Sequence, residues 1–218
     1  MPDRRTTLGG GIAAGMASLM GDAFAADGAP RQGRLTPVPP QDYTADQKAC
    51  KEGFNHWVNP EGEPRGPFEV LMHTPNINLA ALNMYEAIRR QNRIEVRLIE
   101  LMVCTVARTL GSEYEWFIHS RFATEAGIAP EIIEAIRIGK TPSFAKDDER
   151  VLYQVVQELL ASRKLSAATY ERGLAIFGKD KLVEIVAGAG YFAMLGFVLS
   201  AFAVPPGAGP LHPFPDIQ

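Results

Sequence analysis

Glu100, Glu115 and His119, within the stretch Arg93 to His119, RIEVRLIELMVCTVARTLGSEYEWFIH, are the side chains in this chain best suited to moving protons. Glu115 and His119 are four residues apart, one turn along a single helix face, so a carboxylate and an imidazole are presented side by side. Glu100 projects from the helical segment before them, among Leu98, Ile99, Leu101 and Met102. An unpaired carboxylate is costly in such apolar company. A glutamate beside an imidazole in a low-dielectric pocket is a way of tuning an acid/base pair. An unperturbed imidazole titrates at about 6.5, so a pH response near that value is the expected signature of the site. Each residue also has a plainer reading. His119 would be a satisfied core histidine, and Glu115 an N-terminal capping glutamate. Glu100 would be half of a structural salt bridge to Arg97 or Arg108.

The elements that must hold these groups are helical. Ile94, Leu98, Leu101, Met102 and Val106 recur at three- and four-residue steps, the pattern of a core-facing helix. Gly111 ends it, since glycine readily takes the left-handed conformation that follows a helix. Ser112 and Glu115 have the S-x-x-E spacing of a capping box opening the next helix. Further helices are predicted over 43–57, 79–91, 113–126, 130–139, 147–162, 166–177 and 181–203. Gly127 and Gly178 stand at stops, Pro130 at a first turn and Ser166 before a start. Three prolines and two glycines make 59–67 (NPEGEPRGP) a loop, followed by a short apolar segment, Phe68 to His73. No alternating run is long enough for a sheet, and the fold class is all-α.

With these residues in place, the stretch resembles the core of the carboxymuconolactone decarboxylase / alkylhydroperoxidase D superfamily. In the peroxidase branch the motif runs Glu, eleven residues, Cys-x-x-Cys, three residues, His. Counting back from His119 puts Glu100 on the glutamate, and Ser112 and Glu115 on the two cysteine positions. The decarboxylase branch is resembled through Glu-x-x-x-His, which Glu115 and His119 reproduce. The likeness runs from about Gly66-Pro67-Phe68 to Val204-Pro205. It implies an alkylhydroperoxidase D-like helical bundle packed into a homo-oligomer, a trimer or a multiple of one, with no required cofactor or metal.

The missing sulfurs divide the functional readings. The family's thiol route needs a thiolate to attack peroxide and a second cysteine to resolve the sulfenic acid. Ser112 and Glu115 cannot cycle between dithiol and disulfide. The two cysteines present, Cys50 and Cys104, are far apart in sequence. Cys104 lies mid-helix beside Met102 and Val106, where a buried, inert thiol is the plain expectation, and a Cys50–Cys104 disulfide is conceivable only in an oxidising compartment. The leading reading is therefore cofactor-independent acid/base chemistry of the lyase or decarboxylase type on a small organic acid or lactone. His119 would move the proton and Glu115 or Glu100 would orient it. Arg97 or Arg108 would hold a substrate carboxylate, Trp116 would floor the pocket, and His73 would stand by the pocket-wall segment Pro67-Phe68. Two rivals stay open. One is a peroxidase using Cys104 alone. The other is a non-catalytic binding protein, with Glu115 only a cap, Glu100 neutralised by an arginine and no cavity at His119.

The chain of 218 residues, net charge −3, allows one domain with a proper core and has no basic excess, which argues against nucleic acid. Residues 1–26 read as an export signal. Arg4-Arg5 precedes a mildly apolar, glycine-rich run and then Ala23-Phe24-Ala25, a small-x-small cleavage pattern of twin-arginine type. That places the protein in the periplasm or outside the cell, with a cytoplasmic tail as the alternative. Residues 27–66 read as an arm and loop, 67–205 as the helical domain and 206–218 as a tail. Ile185 to Val204 carries no charge and is long enough to span a bilayer. Its Gly188, Gly190, Gly196 and Ser200 instead favour a buried, closely packed helix, shared between subunits, over a stable membrane span.

Overall fold

The computed structural model describes residues 33–91, 93–206 and 214–215. The export-signal reading of residues 1–26 and most of the tail, His212 included, lie outside the described residues. The chain begins with a 3-10 turn at Pro40–Asp42 and then forms α1 (Ala45–Trp57), α2 (Pro67–Leu71) and α3 (Pro75–Glu86). A π-turn at Ala87–Gln91 continues α3. There follow α4 (Val96–Leu110), α5 (Glu113–Glu125), α6 (Pro130–Arg137), α7 (Asp147–Ser162) and α8 (Ala167–Ala201). No strand occurs among the described residues.

The helix ends follow local chemistry. Thr44 accepts from the Gln47 amide while the Gln47 side chain accepts from the Thr44 amide, a complete capping box at α1. Pro67, Pro75 and Pro130 each stand at a first helical position, where a missing N–H costs nothing. Ser166 caps α8 through the Thr169 amide. Gly178 interrupts α8 with φ 71° and ψ 175°, so the span Ala167–Ala201 is two helices meeting at a kink, the stop expected at Gly178. α3 starts four residues before its expected start at Leu79, because Pro75 seeds it.

α4 is the axis of the bundle. Leu98 to Arg108 are buried without interruption, not along one stripe as the periodicity suggested. α5, α7 and α8 pack around it. α8 approaches closely at Gly188, where an added Cβ would lie 2.8 Å from Met102 Cε and would push that flexible side chain aside. A buried Leu or Ile contributes about 1.5–3 kcal/mol, so the Leu98, Ile99, Leu101, Met102 and Val103 cluster is a principal source of stability.

Between α1 and α2 the proline-rich segment 59–66 forms the expected loop, and it is braced. Asn55 Nδ2 donates to Asn59 O at 2.9 Å and to Gly62 O at 3.0 Å. Tyr43 and Lys51 both hold Glu63. Gly66 closes the loop at φ 60°, against the Tyr114 ring, where an added Cβ would lie 2.5 Å from ring atoms. Gly66→Ala is therefore expected to destabilise the fold by about 2 kcal/mol or more through left-handed strain and overpacking, measured by chemical denaturation.

Candidate active site

The three proton-moving side chains meet in one buried line. Glu100 comes from the second turn of α4 and is fully excluded from solvent. Its Oε2 lies 2.7 Å from His119 Nδ1, and its Oε1 accepts from Arg89 Nη1 at 2.5 Å. On the other side of the ring, His119 Nε2 is 3.2 Å from Glu115 Oε2. The order is Arg89, Glu100, His119, Glu115, with charges alternating when the imidazole is protonated. The two carboxylates sit at opposite ring nitrogens, so they converge on the imidazole and not on a common metal point.

Electrostatics follow from that order. Burial acts to keep the Glu100 carboxyl protonated, but Arg89 and then His119 outweigh it and hold it below the usual carboxylate range. Burial likewise works against the His119 imidazolium. The Glu100 charge, with hydrogen bonds to Glu100 and Glu115, overrides burial and raises the group from 6.5 to about 9. The expected signature at the ordinary histidine value is thereby corrected: His119 is an imidazolium at neutral pH. The Glu115 and Ser112 readings are corrected too. Ser112 makes no side-chain capping bond, its buried Oγ is left without a partner, and Glu115 turns to His119 instead.

An open pocket, with about 510 Å³ of empty space that includes solvent at its mouth, adjoins this line. Its wall is largely aromatic and aliphatic, with Phe54, Phe68, Tyr85, Tyr114, Phe192 and Leu195 among its members, while Glu115, His119, Asn59 and Arg65 are its polar ones. Phe122 and Phe192 pack edge-on against the imidazole at 5.9 and 5.8 Å between centroids. Tyr114 stays a neutral phenol because burial and then Glu115 push its pKa far up.

The other sequence candidates lie elsewhere. Arg97 is bound to Asp148, Glu149 and Glu95, pinning α4 to the start of α7. Arg108 donates to Arg137 O at 2.8 Å and to Pro215 O at 3.3 Å and lies over the Phe214 ring. Trp116 packs on the same Phe214 at 5.4 Å. Both thus grip the tail, and neither pairs with Glu100 nor lines the pocket. His73 Nε2 meets Thr36 O at 3.2 Å, tying down the N-terminal arm. Cys50 and Cys104 are both free thiols, fully buried, so no disulfide joins them. The cation on Glu100 is Arg89, which periodicity did not reveal. It sits in the π-turn, and one extra residue per turn rotates it off the face that a regular helix to Gln91 would assign it. Arg65 was equally unseen, in a loop without periodicity.

An alkylhydroperoxidase AhpD core described as an uncharacterized peroxidase-related protein, from Ralstonia eutropha, superposes with TM-score 0.68 at 14% identity, covering 82% of this chain and 94% of that one. The fold is alkylhydroperoxidase D-like. An uncharacterized peroxidase-related protein from Silicibacter sp. gives TM-score 0.66 at 16% identity over 84% of this chain and 96% of its own. The debrominase Bmp8, solved in complex with 2,3,4-tribromopyrrole, gives 0.60 at 13% over 83% and 95%. The chain matches no protein-family model and no curated protein. At these identities the likeness establishes the alkylhydroperoxidase D-like scaffold and leaves the chemistry to the residues.

Two measurements check the buried line. Arg89→Met removes the counter-charge of a fully buried carboxylate and is expected to cost about 3–5 kcal/mol in denaturant unfolding. His119 binds its proton more tightly folded, at about 9, than at its ordinary 6.5. The resulting stabilisation is complete below 6.5 and is lost as pH rises through 9. NMR titration of the His119 ring should therefore show its transition near 9, and wild-type stability should fall across that window in a way that His119→Gln does not.

Proposed function

We propose that this chain is a cofactor-independent acid/base catalyst of the lyase or decarboxylase type, acting on a small organic acid or lactone in the pocket beside His119. The observation that supports it is the clamped imidazolium. His119 is held through Nδ1 by Glu100, whose charge favours the protonated ring, and one edge of it lines an apolar pocket. Nε2–H is the proton-delivering atom, and its 3.2 Å contact to Glu115 is long enough for a substrate atom to compete for it. In decarboxylation the C–C bond breaks, carbon dioxide leaves and the electron pair stays on the adjacent carbon as a carbanion or dienolate. His119 donates a proton to that carbon, and solvent restores it. Glu115, at the pocket surface, is the base for steps that need one.

The rival readings are disfavoured on particular observations. Cys104 is fully buried, and burial followed by the Glu100 and Glu115 charges drives its thiol well above the ordinary value, away from the thiolate that peroxide attack needs. The non-catalytic reading requires Glu100 neutralised by an arginine, which Arg89 does, but also a capping Glu115 and no cavity at His119, whereas Glu115 faces the imidazole beside a pocket.

We also propose a homo-oligomer formed through α8. Val183, Val186 and Phe197 are exposed there, at 68%, 39% and 61%, although α8 carries an 18-residue window of mean hydropathy 2.0. Half of that window is buried inside the monomer, so packing between copies competes with lipid as the way to cover the rest.

On a panel of small lactones and carboxylic acids, His119→Ala should lower turnover by at least about 100-fold, while Cys104→Ala leaves it within a few-fold. The pH–rate profile should fall on its basic side near 9, where the imidazolium is lost. Retained turnover in His119→Ala would sink the reading. Introducing Val183→Glu with Phe197→Glu should dissociate the assembly, read as mass by light scattering.

A further inference from the structure

We infer that the Asn59 side-chain amide is the donor that receives a ligand carbonyl oxygen in the His119 pocket, and that the pocket takes small ring compounds bearing such a carbonyl; this rests on the reading of the pocket as an active site. Asn59 lines the pocket and is 6% exposed, as deep as His119. Its main-chain N–H donates to Phe54 O at 3.0 Å, and its C=O accepts from Asn55 Nδ2 at 2.9 Å. Its Oδ1 accepts from the Glu61 amide at 3.4 Å. A main-chain N–H can only donate, so that contact fixes which side-chain atom is the oxygen. The Nδ2 donor is what remains, and it makes no hydrogen bond among the described residues. Nor is it sealed in protein: the described atoms both sealed and unpartnered are Asn78 Oδ1, Ser112 Oγ and Glu158 Oε2. The open space beside Asn59 is the pocket.

Other polar groups of the wall are engaged within the chain. His119 Nε2 faces Glu115, Arg89 holds the Tyr85 hydroxyl, and Arg65 and Tyr114 have partners of their own. A ligand filling this aromatic and aliphatic wall therefore leaves the Asn59 donor unsatisfied, at a cost, unless it brings an acceptor. The proposed chemistry calls for that same acceptor. Decarboxylation without a cofactor needs an electron sink in the substrate itself, and a carbonyl β to the carboxylate is one. The bond to the carboxylate breaks, carbon dioxide leaves, and the electron pair of that bond forms an enolate with its charge on the carbonyl oxygen. Asn59 Nδ2 donates to this oxygen, more strongly as the charge develops. His119 then gives a proton to the carbon, the carbonyl re-forms, and solvent restores the imidazolium. The amide is set before the ligand arrives, because three of its residue's groups are already bonded and Pro60 restricts the backbone of the residue before it.

The test titrates the whole chain with acetophenone and with α-methylstyrene, which carries a CH2 group in place of the carbonyl oxygen. In the wild-type NMR spectrum acetophenone should move the assigned Asn59 side-chain NH2 signals downfield, and α-methylstyrene should not. Asn59→Asp keeps an oxygen for the Glu61 amide but removes the donor. It should lower the ratio of acetophenone to α-methylstyrene affinity by about fivefold. Asn59→Ala, which adds no charge, should lower it similarly. Circular dichroism confirms that each variant is folded, and the wild-type spectra decide the matter even if one is not. No acetophenone binding, an unmoved Asn59 amide, or an unchanged ratio in a folded variant would overturn the inference. Binding is read without turnover, so an active His119→Ala protein would remove the acid/base reading while the Asn59 result stood on its own.

Discussion

A carboxylate with no access to water organises this molecule. Glu100 lies on the most buried helix of the bundle, and a charge there is tolerable only with cations and donors on both oxygens. Arg89 meets one oxygen and His119 the other. That requirement reaches far into the fold. It calls for a π-turn after α3, so that Arg89 faces α4, and for α5 to run back along α4, so that His119 comes within hydrogen-bonding range. The charge of that carboxylate is also what raises the imidazole, against the opposing effect of burial. On Glu100 itself it is Arg89 and His119 together that outweigh the cost of desolvation.

The same scaffold can carry different chemistry according to what stands at the start of α5. A pair of cysteines there would offer redox chemistry, helped by the helix N-terminus. Here Ser112 and Glu115 stand there, and the polar character of the position is redirected into the histidine. The unpartnered Ser112 hydroxyl beside Gly196 shows that the position is not simply refilled by a matching hydrogen-bonding residue. What results is a histidine–carboxylate pair with one face on an apolar pocket and the other locked into the core, where the neighbouring charges are kept from solvent screening.

Several polar residues that look chemical from composition are structural. Arg97 staples α4 to α7, while Arg108 and Trp116 hold Phe214 and Pro215 against the bundle. Long cationic and aromatic side chains are suited to such work because they span gaps between elements while covering apolar surface. The arginine that lines the pocket, Arg65, comes instead from the loop between α1 and α2, a segment whose course is set by Asn55, Glu63 and Gly66.

Local rules written in the chain determined a good deal. Prolines at first turns, Gly111 in the left-handed region at φ 68°, the break at Gly178 and the three-four spacing of apolar residues were enough for an all-helical bundle with nearly correct element boundaries. The four-residue step from Glu115 to His119 sufficed to bring those two together, because both sit on one helix. The motif spacing also singled out Glu100. Tertiary structure alone decided everything that passes between helices. Which arginine neutralises Glu100 depends on a π-turn, and an inserted residue leaves no mark on hydrophobic periodicity. Whether Ser112 and Glu115 cap a helix or serve a histidine depends on which partner is closer once α4 and α5 have packed. The basicity of His119 comes, against the effect of burial, from a charge nineteen residues away in sequence, a contact that no local spacing encodes.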